Sequence, residues 1–252
     1  MFIDSHCHIH LPEFDQDRES VFEQAHAAAI EHFMIIGNDH ESNKIGFDML
    51  KDREDCSFAL GIHPHHAMEW SLEIETWLKE HCQHPKVKAI GEAGLDYYRN
   101  QVSKVEQEKV LRSQIELALT HQIPIVLHIR DAFLDAYRIL AEYPHLKFIV
   151  HCFTGTKNDV DWIIQLGGYI SLSGIVTFTN AKSLQKLVPS IPNERLLWET
   201  DAPFLAPGQY RGKRCEPAFL VETAEMIATL RQTNFAVLAE QVLKNTKTIF
   251  GL

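Results

Sequence analysis

Val87-Lys88-Ala89-Ile90-Gly91-Glu92 is an apolar run that closes on a carboxylate. A charged group buried there without a partner would be costly, so Glu92 must reach either solvent or something positive. The same pattern recurs along the chain. Pro124-Ile125-Val126-Leu127 ends on His128, Phe148-Ile149-Val150 on His151, and Leu196-Leu197-Trp198-Glu199-Thr200 on Asp201. Near the start, Asp4, His6 and His8 stand two residues apart in Phe2-Ile3-Asp4-Ser5-His6-Cys7-His8. In a strand that spacing puts all three on one face.

Runs at 2–8, 32–37, 57–62, 87–92, 124–128, 148–151, 169–173 and 196–200 read as strands, and helical patterns follow most of them. Apolar residues recur at three- and four-residue steps over 105–121, 160–166 and 224–230. Ser103-x-x-Glu106 is placed to cap the first of these as a capping box, and Ser20-x-x-Glu23 is a less clear cap early in another helix. Eight strand–helix units in 252 residues predict an α/β fold, a single (β/α)8 TIM-type barrel domain over 1–252. A doubly wound sheet would usually carry GxGxxG in its first loop, and that motif is absent. The polar strand ends then gather on one rim, the carboxyl end, where the active sites of such barrels lie.

No run approaches the roughly 20 apolar residues of a membrane span, and MFIDSHCHIH turns polar too early for a secretory signal. The five cysteines are scattered without a CxxC pair, which suits reduced thiols and a cytoplasmic location. A formal net charge of −10 argues against a simple basic surface for nucleic acid, although bound cations and local arginines can supply positive charge. No obligate protein partner is inferred.

Four histidines and two carboxylates, with no thiolate, form a nitrogen–oxygen donor set suited to Zn, Mn or Mg. They are too many for one catalytic ion with an open position. They suit two divalent cations sharing a carboxylate, with Glu92 as the natural bridge; such ions sit roughly 3.5–4 Å apart and can activate water. Arg130, two residues beyond His128, is placed either to grip a phosphate or to form a surface ion pair. Tyr210-Arg211-Gly212-Lys213-Arg214 is the one dense basic cluster; Arg211 and Arg214 either grip phosphate near the rim or belong to a solvated loop. Cys7 and Cys152 alternate away from the neighbouring ligands and are expected to pack, while His65, His66, His81, His84 and His121 are expected to be exposed.

These residues resemble the TatD family of metal-dependent deoxyribonucleases, within the amidohydrolase-type barrels. The resemblance rests on Asp4-Ser5-His6-Cys7-His8, Gly61-Ile62-His63-Pro64, Gly91-Glu92-Ala93-Gly94-Leu95-Asp96-Tyr97 and His128-Ile129-Arg130. It continues through His151-Cys152-Phe153-Thr154-Gly155, Glu199-Thr200-Asp201-Ala202-Pro203 and Asn245-Thr246, in family order and nearly end to end. It implies that His6, His8, Glu92 and Asp201 hold one metal and Glu92, His128 and His151 the other. It further implies a phosphodiesterase acting on DNA, often as a 3′ to 5′ exonuclease, with His63 touching substrate phosphate. Two positions depart from the family pattern: Cys215-Glu216-Pro217 stands where Asn-Glu-Pro is frequent, which puts a substrate contact there in question, and Ala93 replaces a bulkier residue.

On this reading Asp201 and Glu92 are catalytic, and Asp201 orients a water and takes its proton. A DNA end must fit the mouth, which favours single strands or frayed ends. The alternative is a related barrel hydrolase acting on a small phosphoester, lactone or amide. Several of those use a carbamylated lysine as the bridge, whereas here the fourth strand ends in Glu92. A degenerate barrel that only binds a partner would have lost a ligand, and none is lost.

Overall fold

Strands buried on both faces read as nearly continuous apolar runs, because neither face meets water. The computed structural model, which describes residues 1–99 and 101–252, places all eight runs in one sheet. The strands are β1 (Phe2–Cys7), β2 (Ile30–Ile36), β3 (Cys56–Leu60), β4 (Val87–Asp96), β5 (Ile125–Arg130), β6 (Phe148–Val150), β7 (Tyr169–Leu172) and β8 (Leu196–Trp198). They lie in chain order and every neighbouring pair is parallel. Around them run α1 (Arg18–Ala27), α2 (His40–Met49), α3 (Leu72–His81), α4 (Lys104–His121), α5 (Phe133–Leu140), α6 (Lys157–Gln165), α7 (Lys182–Leu187), α8 (Leu220–Leu230) and α9 (Phe235–Phe250). This is the (β/α)8 barrel.

The sheet curls until β8 meets β1. Polar groups stitch that seam: Asp201 N–H donates to His6 C=O at 2.9 Å, and His8 N–H to Ala202 C=O at 2.7 Å. Asp4 is buried and accepts from the Thr200 amide at 3.0 Å and from its hydroxyl at 2.5 Å. Asp4 therefore belongs to the closure of the barrel, although it shares a spacing with His6 and His8.

Alternation sorts the apolar residues into two layers. Met34, Ile36, Ala59, Ala89, Val126, Ile149 and Leu197 cluster together as one core. Phe22, Phe33, Phe58, Phe148 and Trp198 belong to the larger core between strands and helices. With Ala89 in the first cluster, strict alternation would turn Glu92 to the opposite face. The β4–β5 register shifts between Ile90 and Ala93, which resets the phase before the rim.

The segments 105–121 and 224–230 fall within α4 and α8, and 160–166 runs one residue past the end of α6. Ser103 caps α4 by accepting the Glu106 N–H at 3.3 Å, while the reciprocal two-way boxes form at Asp39/Ser42 and Thr156/Asp159. Ser20 lies inside α1, whose cap position is Asp17.

Gly94 has φ of +145°, and a Cβ there would lie 1.9 Å from the His128 carbonyl oxygen. Backbone atoms cannot yield as a flexible side chain can. Gly94→Ala should therefore cost about 3 kcal/mol or more, by overpacking and backbone strain together. Urea denaturation checks this; a midpoint unchanged from the parent protein would refute it.

Candidate metal centre

The His6 and His8 Nε2 atoms face each other at 3.1 Å. Both also face Asp201 Oδ1, at 3.5 and 3.4 Å, and Glu92 Oε2, at 3.5 and 3.7 Å. The other Glu92 oxygen, Oε1, faces His151 Nε2 at 2.8 Å, His128 Nδ1 at 3.1 Å and His63 Nε2 at 3.5 Å. Glu92 thus turns one oxygen to each of two nitrogen clusters. Donor groups close enough to share an ion are His6–His8–Glu92, His63–Glu92–His128 and His6–His151–Glu199.

The outer nitrogens decide which way the lone pairs point. His8 Nδ1 donates to the Ile36 carbonyl at 2.7 Å, His128 Nε2 faces Asp96 Oδ2 at 3.1 Å, and His151 Nδ1 faces Glu199 Oε1 at 3.2 Å. An acceptor outside keeps the proton outside and leaves the inner nitrogen as a donor to a cation. His6 differs: its buried Nδ1 has no partner, and its ring stacks on His151 at 4.0 Å.

Burial disfavours charge throughout this centre. It drives His6 down to about 4, helped by the neighbouring His151. Burial also opposes charge on Glu92, yet the imidazoles of His151, His63 and His128 hold its carboxyl well below the usual range. For His151, burial is outweighed by Glu92 and Glu199, which push it well above the usual imidazole value. Glu92 is thus a carboxylate held by a cage of imidazoles.

A divalent cation fits this donor set. The His6 and His8 nitrogens confront each other across 3.1 Å, and the His8 proton is already committed to Ile36. Neither neighbouring thiol joins these donor groups: Cys7 donates to the Met34 carbonyl at 3.7 Å, and Cys152 Sγ lies 3.1 Å from the Ser173 hydroxyl. Nitrogen and oxygen donors alone suit Zn, Mn or Mg. Above them opens a cavity of about 530 Å³ lined by His8, His63, Glu92, His128, His151 and Asp201. A cavity of about 580 Å³, around His32, Lys86 and Lys88, contains none of these donors.

The sequence model of the family described as "TatD related DNase" matches residues 3–251. The chain belongs to the TatD family of metal-dependent hydrolases. It is 39% identical over 254 residues, all of both chains, to the "Uncharacterized metal-dependent hydrolase YabD" of Bacillus subtilis. It is 34% identical over 248 residues, 95% of each chain, to the "3'-5' ssDNA/RNA exonuclease TatD" of Pantoea ananatis. Among solved structures, the TatD homolog YJJV of Escherichia coli K12 superposes with a TM-score of 0.95 at 26% identity, covering 100% of this chain and 98% of that one.

Within this TatD-family barrel the residues expected to meet substrate separate. His63 and Arg130 line the cavity, and the Arg130 guanidinium lies 3.9 Å over the Tyr98 ring. Arg211 and Arg214 are absent from the lining. Arg211 lies over Phe178 at 4.2 Å. Arg214 is a correction to the sequence reading. Its guanidinium is committed to Asp17 at 2.8 and 2.7 Å, to Glu216 at 2.9 Å and to the Glu13 carbonyl at 2.7 Å. With its donors taken by the chain, Arg214 pins the loop after β8 to the segment before α1 and has no fork left for phosphate. Cys215 is buried and points its thiol at the Thr200 carbonyl, so it too faces the protein.

Other positions also differ from expectation. Cys152 has φ of +44°, which breaks strand alternation and brings it into the cavity lining. His65, His66, His81, His84 and His121 are half-buried, not exposed; His65 bonds Asp96 at 2.9 Å and lines the cavity. Arg99 lines it as well, and sequence reading did not single it out. Asp96 and Glu199 were quoted within motifs but carry a further job, orienting His128 and His151. Glu199→Ala should weaken metal binding about 10- to 100-fold, the usual effect of removing the carboxylate behind a ligating histidine. Calorimetric titration of metal into the stripped protein measures it, and unchanged affinity would remove that role.

Proposed function

We propose that this chain is a metal-dependent deoxyribonuclease that shortens DNA from an end, in the 3′ to 5′ direction, on single strands or frayed termini. In this reading His6, His8, Glu92 and Asp201 hold one divalent cation, and Glu92, His128 and His151 hold a second. The observation that carries it is Glu92, with one oxygen turned to each cluster of imidazoles. Relatives about a third identical are named 3'-5' ssDNA/RNA exonucleases, which supports a single-stranded nucleic acid substrate and this polarity.

When bound, the cations supply a water acidic enough to act as hydroxide near neutral pH and offset charge on the phosphate. The protein does the positioning. Asp201 orients the attacking water and accepts its proton, then returns a proton to the departing sugar oxygen. His63 and Arg130, both in the lining, hold the non-bridging phosphate oxygens.

A strand labelled at its 5′ end should yield a ladder of progressively shorter labelled products, and a blunt duplex should be cut more slowly. Immediate release of a labelled mononucleotide would reverse the polarity. A net charge of −10 favours the second reading, a small phosphoester. Intact strands beside rapid metal-dependent hydrolysis of p-nitrophenyl phosphate would establish that reading instead.

A further inference from the structure

Phe204 is the one exposed phenylalanine among the described residues, at 47% relative exposure, and it lines the cavity over the donor cluster. It is not a loose side chain on a loose loop. Its N–H donates to the Asp201 carbonyl at 2.8 Å, within a turn whose flanking residues, Asp201 and Leu205, both have positive φ (60° and 57°). Ala202 C=O accepts from His8 N–H at 2.7 Å, and Pro203 C=O from Cys215 N–H at 2.9 Å. Leu205 is seated so closely on Gly174 that a Cβ there would lie 2.2 Å from its carbonyl oxygen. The ring meets His8 edge-on at 5.9 Å. A bolted turn thus holds an aromatic ring in water beside Asp201, forgoing the stabilisation that burying it would bring.

Half-buried Leu205 and Ile175 extend this apolar wall on the β7–β8 side of the mouth. On the β4–β5 side stand Arg99 and Arg130. One cavity therefore offers cations, a floor of metal donors and an aromatic platform. A nucleotide matches all three with its phosphates and its planar base, and stacking tolerates any base because each has a π-face.

We propose that Phe204, backed by Leu205 and Ile175, is the stacking platform for the base of the nucleotide being removed, a proposal that rests on the nuclease reading above. The platform makes that subsite base-tolerant but base-requiring.

The test compares two single strands, identical except that one is abasic at the residue under attack, using the metal-loaded enzyme, Phe204→Ala and Phe204→Tyr. On the normal strand Phe204→Ala should raise KM about 5- to 150-fold, the span of one lost base stack, with kcat little changed. Phe204→Tyr, which keeps the ring, should restore KM. On the abasic strand the parent enzyme and Phe204→Ala should share one KM. An equal rise on both strands, or no rise on either, would overturn the platform while leaving the nuclease reading intact. Failure of the parent enzyme to cut either strand would overturn the nuclease reading, and the platform with it. Thermal melting of Phe204→Ala should match the parent, because the exposed ring contributes little to folding.

Discussion

Glu92→Gln should lower kcat on single-stranded DNA by on the order of 10³-fold, comparable to deleting a principal electrostatic group from an active site. The side chain keeps its shape, so the loss comes from chemistry. One oxygen becomes an NH2 that must point either at the His6 and His8 nitrogens or at those of His128 and His151, donors' lone pairs in both cases. Either way one cluster loses its anionic member and faces an amide proton. Mass-spectrometric metal content should fall from two ions per chain to at most one. Circular dichroism should show the fold retained. Full metal content with near-parent kcat would remove Glu92 from its bridging place.

Asp201→Asn should act differently. Its Oδ1 lies 3.5 and 3.4 Å from the His6 and His8 Nε2 atoms, and an amide oxygen can still face them. Metal content should therefore be largely kept, while the capacity to accept a proton from water is lost. General-base contributions run to about 10²- to 10⁴-fold, and a fall of that size in kcat with KM little changed is the expected result. Activity at the parent level in Asp201→Asn would remove the proton-accepting role, whatever the metal content.

The fold was legible because its strands are buried on both faces and so read as apolar runs with polar termini. The eight expected runs each overlap an observed strand. The polar strand ends were legible for the same reason: His6, His8, Glu92, His128, His151 and Asp201 are brought together at one end of the barrel. What escaped depends on backbone detail or distant partners. Alternation placed Cys152 away from the site, and a positive φ turned it back. Arg214 looked available in sequence, yet its partner Asp17 lies 197 residues away. The carboxylates behind His128 and His151 are Asp96 and Glu199, 32 and 48 residues distant, and no local pattern links such pairs. The ring of Phe204 drew no notice, since a single phenylalanine after a proline carries no sign of whether it will be buried.

The most direct measurement strips the protein of metal with a chelator and follows an end-labelled single strand before and after Mn, Mg or Zn is restored. The metal centre proposed here predicts no shortening by the stripped protein, and progressive shortening from one end once metal returns. Undiminished cleavage by the stripped protein would contradict the metal centre, and an intact strand under every metal would contradict the nuclease reading.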